Sequence, residues 1–172
     1  KNVLIGEVWF CSGQSNMEWR VRQSNNPAEE IAAAKHPRIR HIKFPHQPAA
    51  DPQVNIPSDG WKVCGPETVG DFTGVGYYFG RHLLQELDVP IGLLGCNWGG
   101  TRIEPWIPPV GFRAVPKLAD ISGALDTFPS VRGNGTINHQ SPLALFNGMV
   151  SPVQPYGIRG AIWYQGESNN GE

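Results

Sequence analysis

The sequence predicts an α/β protein built on a mostly parallel sheet with flanking helices. Three observations predict it. Short apolar runs that read as strands alternate with segments of helical periodicity. Ile91-Gly92-Leu93-Leu94-Gly95-Cys96 is continuously apolar, the pattern of a strand buried on both faces. Three polar, glycine-containing stretches, Ser12–Asn16, Asn97–Thr101 and Gln165–Asn169, each follow a predicted strand. In an open parallel sheet the carboxyl ends of the strands share one edge, and ligands bind in the crevice there.

The elements follow in chain order. A first strand is expected over Asn2–Phe10, running into Cys11-Ser12-Gly13-Gln14-Ser15-Asn16-Met17. Asn26 as a cap, Pro27 at the first helical position and Glu29 and Glu30 in the first turn start a helix that Pro37 stops. Arg38–Phe44 alternates polar and apolar, as a half-buried or edge strand does. Residues 45–60 hold four prolines and no periodicity, so a long loop is expected. Trp61–Cys64 reads as a short strand. Phe72–Leu87 reads as an amphipathic helix with Tyr78, Phe79, His82, Leu83 and Leu87 on one face, ending before Val89-Pro90. After the buried strand, residues 105–142 are irregular, Leu143–Val150 is helical, and Ile158–Tyr164 is the last strand.

Bulk composition excludes several classes of function. The chain has 172 residues, 40% hydrophobic and only 17% charged, with a net charge of −1. That leaves neither a basic footprint for nucleic acid nor a polybasic patch for a membrane. Cys11, Cys64 and Cys96 lack both zinc spacing and the density of a disulfide scaffold. Cys11 and Cys96 each close an apolar run and read as core. Asn134-Gly135-Thr136 is a lone glycosylation sequon.

The polar stretches contain what serine-ester chemistry requires. A serine hydroxyl is a poor nucleophile until a neighbouring base activates it. The developing oxyanion needs preorganised donors, each worth roughly 2.7–4 kcal/mol. Gly99-Gly100 lets backbone N–H groups approach a substrate oxygen, and the side-chain amide of Gln165 is a further donor. The Gly-x-Ser-x-Gly elbow of α/β-hydrolases is absent around Ser15, where the sequence reads Gly13-Gln14-Ser15-Asn16-Met17. Ser12 reads as a structural turn hydroxyl.

The blocks "GEVWFCSGQSNMEW", "GLLGCNWGGTRIEPW" and "RGAIWYQGESN" resemble those of the sialate O-acetylesterase family. That family belongs to the SGNH (GDSL-like) hydrolase superfamily and is related to acetylxylan esterases. "VGYYFGRHL" and "LALFNGMVSPVQPYGIRGAIWYQG" match in order and spacing, so the resemblance covers nearly the whole chain. It implies a single three-layer α/β/α domain of flavodoxin-like type over residues 1–172. By the same resemblance Ser15 is the nucleophile, and its own N–H is one oxyanion donor. Gly100 is a second, with Gly99 the less favoured choice, and Gln165 stands at the superfamily's Asn donor. Asn16 pins the nucleophile loop. Glu167 either organises the site or orients a histidine, and the division of roles between Gln165 and Glu167 stays open. The implied reaction removes acetyl groups from sugar hydroxyls through an acetyl-enzyme, with no metal or cofactor, in an extracytoplasmic setting.

Trp98, Trp106 and Trp163 are candidates to stack on a sugar ring, Trp106 being the favoured one. Arg102 either meets a sugar carboxylate or pairs with Glu104 or Glu167. The family's late Asp-x-x-His block does not occur here. Of His36, His41, His46, His82 and His139, only His139 is a candidate substitute base or substrate contact. The chain therefore reads as cut before that block, with the remaining segment of the polypeptide expected as a partner. Two alternatives accompany the esterase reading: a lipid or thioester acyl hydrolase, and a non-catalytic carbohydrate-binding remnant.

Overall fold

Strands β1 (Glu7–Gly13), β2 (His36–Lys43), β3 (Lys62–Cys64), β4 (Ile91–Asn97) and β5 (Gly160–Tyr164) form one sheet in the computed structural model, in the order β3-β2-β4-β1-β5. Only the short β3 runs antiparallel to its neighbour β2. The other pairs are parallel, as the alternation of strands and helices predicts. Residues 2–125 and 137–171 are described, and the Asn134 sequon lies outside them. Contacts divide the chain into two units: Lys1–Pro45, Pro57–Gly100 and Gly157–Gln165 form the first, and His46–Ile56, Thr101–Tyr156 and Gly166–Glu172 the second.

The first unit holds the sheet. Within β4 only Gly92 is less than fully buried, which matches its apolar sequence. β1 begins at Glu7, five residues later than the sequence suggests, and Val3 and Ile5 are exposed. The ladder starts where Glu7 N–H donates to the Pro90 carbonyl, in register with Ile91 at the head of β4. The strand then runs through Gly13. Ser12 is consequently a strand residue rather than a turn hydroxyl, fully buried and in register with Cys96 and Trp163. β2 is an inner strand between β3 and β4, not an edge.

Helix α1 (Ser15–Glu18) follows β1, and α2 (Pro27–Ala33) starts at Pro27 as its sequence predicts. Asn26 precedes α2 in the left-handed region and makes no side-chain cap bond, so the Asn contributes backbone tolerance there rather than a cap. Helix α3 (Gly74–Leu87) is capped by Thr73, whose hydroxyl accepts the Gly76 N–H and donates to the Met17 carbonyl at 2.5 Å. An N-cap of this type stabilises by about 1 kcal/mol, and here it also ties α3 to α1. α3 meets the sheet through its small residues: a Cβ on Gly76 would lie 3.0 Å from Cys11 Sγ, and one on Gly80 3.3 Å from Ile91. His82, expected on the apolar face, is exposed. The core beneath α3 joins Cys11, Met17, Phe72, Tyr77, Ile91 and Leu93.

The second unit contains α4 (Pro109–Ala114), α5 (Ala119–Ala124) and a helical stretch ending in a π-turn at Phe146–Val150. Phe112, Leu125 and Leu143 form its core. Asn147 fastens the proline-rich loop, donating to the Ala49 and Ala50 carbonyls at 3.3 and 2.7 Å and accepting the Gln53 N–H at 2.9 Å through its own carbonyl. Among the described residues, no helix is long and apolar enough to cross a membrane. None of their His, Cys, Asp and Glu side chains gather three or more to hold a metal ion.

Candidate active site

The exits of β4, β1 and β5 lie side by side, since Gly13 is in register with Asn97 on one flank and with Tyr164 on the other. The loop leaving β1 is clamped between them: Trp98 N–H donates to the Gly13 carbonyl at 3.0 Å, and Gln14 N–H to the Tyr164 carbonyl at 2.9 Å. At this crossing Gly13 has φ +135°, and a Cβ would fall 2.0 Å from the Tyr164 carbonyl oxygen. No side chain fits there. Ser15 follows as the first residue of α1 and is exposed, whereas Gln14 and Met17 on either side are buried. Asn16 is half-buried beside it.

The glycine turn packs directly on this loop. A Cβ on Gly99 would lie 3.4 and 3.5 Å from Ser15 Cα and Cβ, so only a bare backbone comes this close. Gly99 N–H donates to Glu18 Oε2 at 2.7 Å and is therefore committed. Gly99, already the less favoured donor in the sequence, thus spends its N–H on Glu18. Gly100 is exposed with φ +76°, a conformation other residues rarely adopt, and a Cβ there would meet nothing within 4 Å. Gln165 follows β5 directly and is half-buried.

Sequence reasoning missed three residues that hold this arrangement. Glu18 Oε1 accepts from Lys43 Nζ at 2.9 Å. Lys43 also donates to the Asn97 carbonyl at 3.1 Å and to Asn97 Oδ1. Asn97, 1% exposed, donates through Nδ2 to the Cys11 carbonyl at 3.2 Å. Burial pushes the Lys43 ammonium below the ordinary lysine range, and Glu18 pulls it back up. Glu18 and Asn97 lie inside the quoted blocks, so their place in the sequence was a signal. Lys43 carried none beyond its polar phase in β2.

A cavity of about 460 Å³ opens over Ser15 and is lined by Glu18, Trp19, Arg20, Arg22, Gln23 and Gly99. Among the described residues lining it there is no imidazole. His41 lies on β2, 2% exposed and stacked on Phe72 at 4.7 Å. Burial, with Lys43 second, pushes its pKa down to about 3, so the ring is neutral. His139 belongs to the second unit, as do Glu167, Arg102 and Trp106. There Arg102 N–H donates to Gln140 Oε1 at 3.1 Å, and Glu104 accepts from Asn169 Nδ2 at 3.2 Å. Trp106 is 4% exposed, with its indole N–H on Thr101 Oγ1 at 3.0 Å. This corrects the expectation that its ring meets a sugar, because its faces are already covered.

Fold and site together define an α/β protein whose candidate chemistry sits at the carboxyl edge of a mostly parallel sheet. Comparison narrows this. The profile described as carbohydrate esterase, sialic acid-specific acetylesterase matches residues 5–172, and the chain belongs to that family. Human sialate O-acetylesterase is 36% identical over 179 residues, covering 98% of this chain and 32% of that protein. The mouse sialate O-acetylesterase is 34% identical over 197 residues, covering 98% of this chain and 36% of its own length. The crystal structure of a carbohydrate acetylesterase from Xanthomonas citri superposes with a TM-score of 0.78 at 35% identity, over 95% of this chain and 33% of that one. The chain thus spans about a third of the length of the curated relatives it matches.

Proposed function

We propose that this chain carries the nucleophile and oxyanion loops of a carbohydrate O-acetylesterase. The observation that carries the reading is the pairing of an exposed Ser15, at the exit of the central strand, with a glycine turn packed on its Cα. In the proposed reaction Ser15 Oγ attacks the acetyl carbonyl, and its proton passes to a general base. The tetrahedral oxyanion is held by the N–H groups of Ser15 and Gly100 and by the Gln165 amide. Its collapse expels the sugar hydroxyl, which takes up the proton, and leaves an acetyl-serine that water hydrolyses. Asn16 fixes the nucleophile loop, and Glu167 and Arg102 are assigned to support and substrate contact. The base is assigned to the family's Asp-x-x-His block, outside these 172 residues. Family membership supports the acetyl-sugar substrate, and the resemblance supports an extracytoplasmic setting.

Acetate release from O-acetylated sialic acid and from acetylated xylan tests the reading in the full-length protein. Ser15→Ala is expected to lower turnover at least 10³-fold with the protein still folded. Wild-type turnover in that variant would remove Ser15 from the reaction.

A further inference from the structure

The Gly99-Gly100 turn poses a physical problem that the proposed mechanism leaves open. An oxyanion donor is effective because it is held in place before charge develops. A glycine pair is the least constrained dipeptide a chain can use. Something outside the pair has to fix it. Trp98 N–H on the Gly13 carbonyl holds the residue before it.

We propose that Glu18 is the positioning residue of the oxyanion turn. It fixes the Trp98–Gly99 peptide through its carboxylate and so sets the direction of the next N–H, that of Gly100. This rests on the reading of Ser15 as nucleophile.

Four features carry it. The Gly99 N–H to Glu18 Oε2 bond is short, at 2.7 Å, and charge-assisted, a class worth about twice a neutral bond. Glu18 stands three residues after Ser15 on α1, a spacing that brings both side chains to one side of a helical turn. The nucleophile and the donor turn are therefore referenced to the same short helix. The other carboxylate oxygen is fixed by Lys43, which also grips Asn97 at the root of the turn. Finally, Gly99 lies against both partners: a Cβ there would be 3.3 Å from Glu18 Oε2 and 3.4 Å from Ser15 Cα. Glu18 does not touch the reacting atoms in this role. It removes one wrong donor, Gly99 N–H, and aims the right one.

The test compares Glu18→Ala, Glu18→Gln and Ser15→Ala in the full-length protein, with p-nitrophenyl acetate as substrate. Glu18→Ala is expected to lower kcat about 10²-fold with KM within about twofold, the signature of a lost donor. Glu18→Gln keeps an amide oxygen for the Gly99 N–H and should recover kcat to within about tenfold of wild type. Hydrogen exchange at the Gly99 amide should accelerate in Glu18→Ala and stay slow in Glu18→Gln, a readout independent of turnover. Inactive Ser15→Ala alongside wild-type kcat in Glu18→Ala overturns the positioning role alone. So does an equal loss in Gln and Ala with KM rising in step. An active Ser15→Ala overturns the nucleophile reading beneath it. Should Glu18→Ala not fold, Glu18→Gln decides: slow Gly99 exchange with kcat within about tenfold of wild type supports the role, and a larger loss of kcat while Gly99 exchange stays slow overturns it.

Discussion

At His41 the fold encloses an imidazole without giving both nitrogens a partner. The ring stacks on Phe72, lies where a Cβ on Gly95 would come within 2.6 Å of Nε2, and leaves that nitrogen without a hydrogen bond. Burial first and Lys43 second lower its pKa from 6.5 to about 3. Between those values the unfolded chain takes up a proton that the folded one refuses. The associated stability is complete above pH 6.5 and declines as pH falls toward 3, at about 1.4 kcal/mol per pH unit. Denaturation midpoints recorded from pH 7 down to 4 should fall in the wild type and flatten in His41→Leu. Parallel slopes would assign the acid sensitivity to other groups. This residue's state was not legible in the sequence, because alternation in β2 places a side chain on a face but says nothing of the aromatic and the lysine beside it. The loop that carries Ser15, by contrast, was legible, because polar residues and a glycine follow the apolar run of β1 directly.

Among the elements, α3 depends on what it lacks. Its periodicity suggested large apolar residues as the contact face, yet Gly74, Gly76, Tyr77 and Gly80 are the buried positions. Small residues let a helix backbone approach a sheet whose own side chains, Leu93 and Ile91, fill the gap. A periodicity count that rewards large apolar groups passes over such a stripe. Gly80→Leu should overpack this seam and cost about 1–3 kcal/mol in urea unfolding. Leu87→Ala, at an exposed position, should change stability by less than about 0.5 kcal/mol. Equal effects would mean that α3 does not sit on the sheet through its glycines. β4 was read correctly from sequence for the opposite reason, since a strand covered on both faces advertises itself by unbroken hydrophobicity.

Across the whole molecule, Cys11, Cys64 and Cys96 sit on three different strands, all buried and none in a disulfide. Burial raises Cys11 to about 12 and Cys64 to about 11, and pushes Cys96 up as well. With little thiolate and little access, they should ignore a disulfide reagent in native buffer and yield three equivalents in guanidinium. A thiol that reacts in native buffer would locate a strand that opens locally. At this scale the shared edge of β4, β1 and β5 was legible, because strand ends in a parallel sheet lie side by side. The division into two units was not. Its ties, such as Asn147 to Ala50, join residues 97 apart and leave no periodic trace. The bond between Gly99 and Glu18 has one more consequence, for transplantation. The Ser15 loop is not a portable cassette: moved to another scaffold without the 97–100 turn and a counterpart of Lys43, the serine would arrive without its geometry.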